Sequence, residues 1–332
     1  MANISVIGAG AWGTALAITA ERAGNNVLVW AREEEVVSSI NTTHTNKFLP
    51  AAVLSEAIRA TTDIGQAVAF ADVVLLVAPA QFTRSVLETL KPIWRKEIPL
   101  VLCAKGIEVS SGLLLTEVAK EVLPDATICV LSGPGFAAEV AKGNPTATTI
   151  AAEDGKLAEQ LVQMMGSAMF RPYFSTDIVA PEVCGSLKNV IAIAAGVVDG
   201  CGFGDNGRAA LITRGLSEMA RFARALGGHR STVLGMSGVG DLVLTCCSTQ
   251  SRNYSFGYKL GCNGNAEQVL AESTVTVEGV PTAAAVMKRA RALNVDMPIC
   301  EAVESALYHN KPVSDILQEL LSRPYKAETD PF

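Results

Sequence analysis

Residues 4–17 read ISVIGAGAWGTALA. The four residues ISVI suit a buried strand, and they give way at once to glycines and then to a helical pattern that continues to about Ala23. Gly8, Gly10 and Gly13 stand at the spacing GxGxxG, which becomes informative when it lies between a first strand and a helix. Gly8 permits the tight turn, Gly10 lets backbone approach a pyrophosphate, and Gly13 lets the helix pack closely on the strand. The helix start then offers N–H groups and partial positive charge to phosphates. The stretch predicts an α/β fold that opens with a dinucleotide-binding βαβ unit; a glycine-rich turn without a ligand is the plain alternative.

Outward from that stretch, the apolar runs NVLVW, DVVLLVA, PLVLCA and TICVLS alternate with amphipathic segments. This alternation predicts a mostly parallel sheet buried on both faces. TATTIAA (146–152) and FRPYFST (170–176) read as further strands. After Asp177 helix-length segments take over, at 182–198, 207–226, 281–293 and 299–308. A chain of 332 residues exceeds the roughly 250–300 at which single cores stop growing. The expected division is therefore a dinucleotide-binding sheet domain over 1–178 and an all-helical C-terminal domain over 179–332.

A net charge of −6 with no basic stripe gives no long-range attraction for nucleic acid. Any anionic ligand must be held by a few local cations. The eight cysteines (Cys103, Cys129, Cys184, Cys201, Cys246, Cys247, Cys262 and Cys300) form no CxxC and no metal-ligand spacing, so reduced thiols and no metal are expected. The longest uncharged runs fall short of the roughly 20 apolar residues that span a bilayer, and no basic region precedes the first apolar segment; neither a membrane span nor a signal peptide is expected. His44, His229 and His309 read as surface or capping residues rather than bases.

Several residues fall where chemistry is expected. The second strand ends in Ala31-Arg32, where an arginine accommodates the 2′-phosphate of NADP and an acidic residue would face the ribose of NAD. NADP(H) is favoured over NAD(H), with Glu33 to Glu35 close enough to keep the second open. DVVLLVAPAQ reads as a fourth strand, with Pro79 fixing the turn as the chain leaves the sheet. Lys105 follows the strand LVLCA on the side where open α/β sheets bind ligands. SGPGFA (132–137) follows the next strand with glycines that let backbone come close to a ligand. Lys188, in CGSLKNVIAIAAGVVD (184–199), precedes nine residues without a polar side chain. An ammonium there is either a functional group whose pKa is lowered by desolvation or a lysine snorkelling from the helix.

Together these segments are identified as those of a family. GAGAWGTALA, AKGIE, SGPGFAAEVA, the long CGSLKN…GLSEM segment, GVGDLVLTCCSTQSRN and TVEGV resemble the bacterial-type NAD(P)-dependent glycerol-3-phosphate dehydrogenases over nearly the full length. The resemblance implies a Rossmann-like first domain and a helical second one with the active site between them. It also implies reversible reduction of dihydroxyacetone phosphate to sn-glycerol 3-phosphate in a cytoplasmic homodimer feeding phospholipid synthesis. By this resemblance Lys188 is the acid/base, Asn189 a substrate-side polar residue, and Asp241 and Thr245 line the reacting centre. Ser251, Arg252 and Asn253 grip the phosphate, with Arg252 also near the cofactor. Lys105, Gly133 and Ala137 contact substrate or cofactor, and Trp12, Arg32 and Glu278 are cofactor positions. Gly135 stands where the family often has Ser or Thr, which leaves it a backbone contact to substrate; Ala11 replaces a frequent Ser, with little consequence for pyrophosphate binding through N–H groups.

Reducing a ketone requires a hydride donor and a positioned acid. Lys188 fits the acid, with Lys105 lowering its pKa and Asp241 raising it. Arginine's planar fork suits a phosphate dianion, which points to Arg252. Two other readings compete: a β-hydroxyacid dehydrogenase, which resembles this architecture but takes a carboxylate substrate, and a dinucleotide sensor with no use for Lys188 or Asp241.

Overall fold

The computed structural model describes residues 1–273, 276–309, 311–325 and 327, so the expected domain end at 332 lies outside the described residues. Eight strands form one sheet: β1 (Asn3–Ile7), β2 (Asn26–Trp30), β3 (Ile58–Thr61), β4 (Val73–Leu76), β5 (Leu100–Leu102), β6 (Ile128–Ser132), β7 (Thr146–Ala152) and β8 (Phe170–Ser175). Their order is β3-β2-β1-β4-β5-β6-β7-β8. The first six are mutually parallel, while β7 pairs antiparallel to β6 and parallel to β8. The first six strands thus have the doubly wound order that reverses between β1 and β4 and opens a crevice beyond their carboxyl ends.

The sheet is sealed on both faces, which is why its central strands are apolar at successive positions rather than alternate ones. Every residue of β4 and β6 is buried. On one face Ile4, Val6 and Val29 pack with Leu16 and Ile40; on the other Ile7, Leu76 and Leu100 pack with Leu87 and Leu115. TATTIAA and FRPYFS form strands where the pattern placed them. The strand β3, IRAT, carries no pattern in the sequence: it has four residues, one of them the exposed Arg59, too short a run for periodicity to show. Pro79 stands just beyond β4, before a single 3-10 turn over Ala80–Phe82.

From Val179 onward the described residues contain no strand. The helices at Val179–Gly200, Gly204–Ala225, Gly279–Ala292 and Pro298–Tyr308 match the four expected segments within a few residues. Asp177 starts the first of them: its carboxylate accepts the N–H groups of Val179 and Ala180 at 3.0 Å each and that of His229 at 2.8 Å. By length and mean hydropathy the Val179–Gly200 helix would suffice to cross a bilayer, a property that the count of uncharged residues alone did not suggest. It is instead a core helix, buried continuously from Ala180 to Gly196 against its helical neighbours.

Glycine sets how closely that core helix meets the Arg252–Asn263 helix. A Cβ on Gly196 would lie 2.1 Å from the Tyr254 carbonyl oxygen, and one on Gly257 would lie 2.0 Å from that of Ile193. The two helices therefore pack backbone against backbone. The helical half is also tied to the sheet half. Glu182, on the core helix, accepts hydrogen bonds from the Thr116 N–H (3.0 Å) and hydroxyl (2.6 Å), and burial pushes its pKa up to about 7. Arg289 donates to Glu117 at 2.8 Å.

Substituting Gly257→Ala inserts a methyl group where no neighbour can yield except by separating the helices. A loss of about 2 kcal/mol or more is expected, read as a lower urea midpoint; an unchanged midpoint would show that the seam opens without cost.

Candidate functional site

The turn after β1 is shaped by contacts that no side chain would survive. Gly8 has φ +118°, and a Cβ there would crowd the backbone of Val77 and Ala78 at 3.1 Å, just past β4. A Cβ on Gly13 would lie 1.9 Å from the Gly8 carbonyl oxygen, so the Ala11–Arg22 helix packs against the turn itself more tightly than against the strand. Gly10 faces open space, with nothing within 4 Å of its Cβ position. That helix begins with no side-chain cap and no acidic residue in its first turn, leaving the N–H groups near Gly10, Ala11 and Trp12 for an anion. The space beside Gly10 and the uncapped helix start fit a dinucleotide's pyrophosphate. Arg32, just beyond β2, is 83% exposed and lies 3.6 Å from Glu33.

Beyond the ends of β5 and β6, three segments distant in sequence meet on one carboxylate. Asp241, fully buried at the start of the Asp241–Cys246 helix, accepts hydrogen bonds from the Lys188 ammonium through Oδ1 and from Lys105 Nζ at 2.9 Å through Oδ2. The lysine side chains are only 9% and 14% exposed, respectively. Lys105 also donates to the Gly133 carbonyl at 3.1 Å, and its Nζ lies 5.8 Å from the centre of the Trp12 ring. The dinucleotide turn and the ionic cluster are thus neighbours. Thr245 Oγ1 sits 2.6 Å from the Asp241 carbonyl oxygen and 3.3 Å from Oδ1, holding the carboxylate in place.

One carboxylate cannot fully compensate two ammoniums, and the imbalance falls on Lys188. Burial lowers its pKa to about 8, the Asp241 charge opposing and the Lys105 charge adding to the shift. Burial acts downward on Lys105 too, but the Asp241 charge and hydrogen bond outweigh it, and its pKa is raised. The half-buried Glu278 adds negative charge felt at Lys105.

The glycine seam places a second polar group beside this cluster. Asn189 Oδ1 accepts from Asn253 Nδ2 at 2.9 Å, and Asn253 Oδ1 accepts from the Gly279 N–H at 2.9 Å. Asn189 Nδ2 is buried and has no partner among the described residues. Ser251 caps the Arg252–Asn263 helix, its hydroxyl accepting from the Tyr254 N–H at 3.2 Å. Arg252, in the first turn of that helix, is exposed. Gly133 has φ +154° and leaves no space for a Cβ against Thr148; Ala137 opens the Ala137–Lys142 helix. Gly135 lies against the Trp12 ring, whose Cη2 would be 3.2 Å from a Cβ there, so its small size is used by the indole. His44, His229 and His309 each flank a helix end.

One link across the cleft had no signal in the sequence. Gln250 Nε2 donates to Glu139 Oε1 at 2.9 Å, joining the segment before Ser251 to the helix that follows SGPGFA. Residues 111 positions apart carry no pattern that would pair them.

The model for the N-terminus of NAD-dependent glycerol-3-phosphate dehydrogenase matches residues 3–158, and that for its C-terminus matches residues 177–318. Glycerol-3-phosphate dehydrogenase (NAD(P)+) of Rhodospirillum rubrum is 52% identical over 327 residues, covering 98% of this chain and 94% of that protein. The enzyme of the same name from Parvibaculum lavamentivorans is 50% identical, with 98% of each chain covered. The crystal structure of the Coxiella burnetii glycerol-3-phosphate dehydrogenase superposes with a TM-score of 0.91 at 34% identity, over 97% of this chain and 99% of that one. A D-mandelate dehydrogenase structure shares the fold, with a TM-score of 0.59 at 15% identity over 95% of this chain and 99% of that one.

Replacing Asp241 with Asn leaves two ammoniums facing each other in a buried site. A stability loss of about 3 kcal/mol at neutral pH is expected from urea unfolding. The deficit should shrink at alkaline pH as Lys188 gives up its proton; a deficit independent of pH would separate it from the lysine charges.

Proposed function

The chain belongs to the NAD-dependent glycerol-3-phosphate dehydrogenase family, and from that premise we propose how its residues carry reversible hydride transfer between NAD(P)H and dihydroxyacetone phosphate, giving sn-glycerol 3-phosphate. The observation that carries the reading is the sharing of one buried carboxylate by Lys105 and Lys188 beside the dinucleotide turn.

When bound, the nicotinamide supplies the hydride. The chain's own residues supply the proton and the positive field. As negative charge develops on the ketone oxygen, the Lys188 ammonium, with a pKa lowered to about 8, is poised to donate its proton. Lys105, kept protonated by Asp241, is a fixed positive charge that stabilises the oxyanion and the substrate phosphate. Asp241 and Thr245 orient the lysines, and the free donor of Asn189 meets a substrate hydroxyl. Gly133 and Gly135 bring backbone to the substrate. Ser251, Arg252 and Asn253 hold the phosphate, Arg252 through its planar fork. Gly8, Gly10, Ala11, Trp12 and Gly13 hold the pyrophosphate, with Ala137, Arg252 and Glu278 at the cofactor's other end. The exposed Arg32 guanidinium favours NADP(H) over NAD(H) by pairing with the 2′-phosphate.

In this reading the chain divides at residue 178 into cofactor and substrate domains, and by resemblance it acts in the cytoplasm as a homodimer supplying phospholipid synthesis. The hydroxyacid reading is disfavoured because two ammoniums and Arg252, offset by Asp241, leave two positive charges, which a phosphate dianion matches and a single carboxylate does not. The sensor reading gives no reason for a buried acid–base cluster.

The direct test follows loss of reduced-nicotinamide absorbance with dihydroxyacetone phosphate, using NADPH and NADH in parallel beside a panel of small hydroxyacid-type ketones. Oxidation with dihydroxyacetone phosphate alone, faster with NADPH, supports the reading; oxidation only with carboxylate substrates overturns it. Because the acid form of Lys188 does the work, kcat/KM for ketone reduction should be level below its pKa and fall about tenfold per pH unit above it. In the reverse direction it should rise through the same pH, near 8. A profile flat across this range, or a Lys188→Ala variant of normal kcat, would remove Lys188 from the proton path. Arg252→Lys should raise KM for dihydroxyacetone phosphate by about tenfold or more, and an unchanged KM would place the phosphate elsewhere.

A further inference from the structure

Far along the core helix from Lys188, two thiols occupy reciprocal positions. Cys201 follows the Val179–Gly200 helix and Cys262 lies in the last turn of the Arg252–Asn263 helix. Cys201 Sγ is 3.5 Å from the carbonyl oxygen of Gly261, and Cys262 Sγ is 3.6 Å from that of Gly200. Each thiol thus donates to the residue preceding the other cysteine. The glycine seam reaches this point, since the Cα of Gly261 lies 3.0 Å from a Cβ built on Gly200. A disulfide needs Cα atoms about 4.4–6.8 Å apart, and the reciprocal thiol–carbonyl contacts, with backbone touching one residue earlier on both helices, favour such an approach. Both also line one surface hollow, with Phe203, Gly264 and Pro312. Of the other six cysteines only Cys247 is exposed; the rest are buried.

We propose that Cys201 and Cys262 form a modification site, which a small-molecule disulfide of the oxidised-glutathione class converts to an intramolecular disulfide joining the ends of the two helices. The exposed Cys262 thiolate attacks one sulfur of the reagent, breaking its S–S bond and releasing one glutathione thiol. The Cys201 thiolate then attacks the Cys262 sulfur of the mixed disulfide, releasing the second. The protein pair is oxidised by two electrons, the reagent is reduced by two, and the two thiol protons leave on the two glutathiones. Closing so long a segment of chain restricts the unfolded state. The helices already touch, so Lys188, Asn189, Arg252 and Asn253 at their other parts stay in place. This inference is independent of the reading of the active site.

The test incubates the full chain with oxidised glutathione, blocks remaining thiols, and combines peptide mass spectrometry with thermal unfolding. A peptide linking Cys201 to Cys262 is expected, with Tm raised by about 5 °C or more and restored by dithiothreitol. Cys247 serves as the internal control that keeps a glutathionyl adduct. In Cys201→Ser, Cys262 should keep that adduct too and the rise in Tm should vanish. A stable adduct on Cys262 of the unsubstituted protein with Cys201 still free, or a linked form whose Tm does not rise, would overturn the proposal.

Discussion

A single buried carboxylate shared by two ammoniums organises this molecule. Asp241 is fully removed from solvent, a position that an isolated charge occupies only at large cost. Its partners come from the sheet half (Lys105) and the core helix (Lys188), so the cluster exists only when the two halves are closed on each other. The same closure brings Thr116 to Glu182, Glu117 to Arg289 and Glu139 to Gln250. The charge balance that lowers the Lys188 pKa is therefore also a condition on the arrangement of the whole fold.

The dinucleotide turn and the helix seam solve the same geometric problem. At Gly8 and Gly13 the absence of Cβ lets a strand, a helix and a neighbouring loop approach closely while Gly10 faces open space. At Gly196 and Gly257 it lets two helices touch along their backbones, and this proximity aligns Asn189 with Asn253 and Gly279. Trp12 connects the first of these regions to the ionic cluster: its ring lies against Gly135 and near the Lys105 ammonium. The glycine-rich turn and Lys105 thus share Trp12 as a neighbour.

Much of this was legible in the linear chain because the signals are local. GxGxxG between a strand and a helix, apolar runs of strand length and the helix-length segments after Asp177 each depend on residues near one another in sequence, and the sheet and helices follow them. Lys188 stood out because an ammonium inside an apolar helix is costly wherever the helix goes. Strand β3 carries no such signal because IRAT is brief and half of its apolar character is alanine. The role of Gly135 has no local signal either, since the neighbour that explains it, Trp12, is more than a hundred residues away.

By itself the sequence determined the element types, the glycines at close approaches and the family, because propensity, periodicity and motif spacing act over short stretches of chain. Only the tertiary structure decided which groups share a charge. That Asp241 divides itself between Lys105 and Lys188, that Lys188 takes the lowered pKa and Lys105 the raised one, and that Asn189 keeps one amide donor free all depend on burial and on distances between remote segments. Electrostatic energy in a protein is set by those two quantities, and neither is written in the order of the residues.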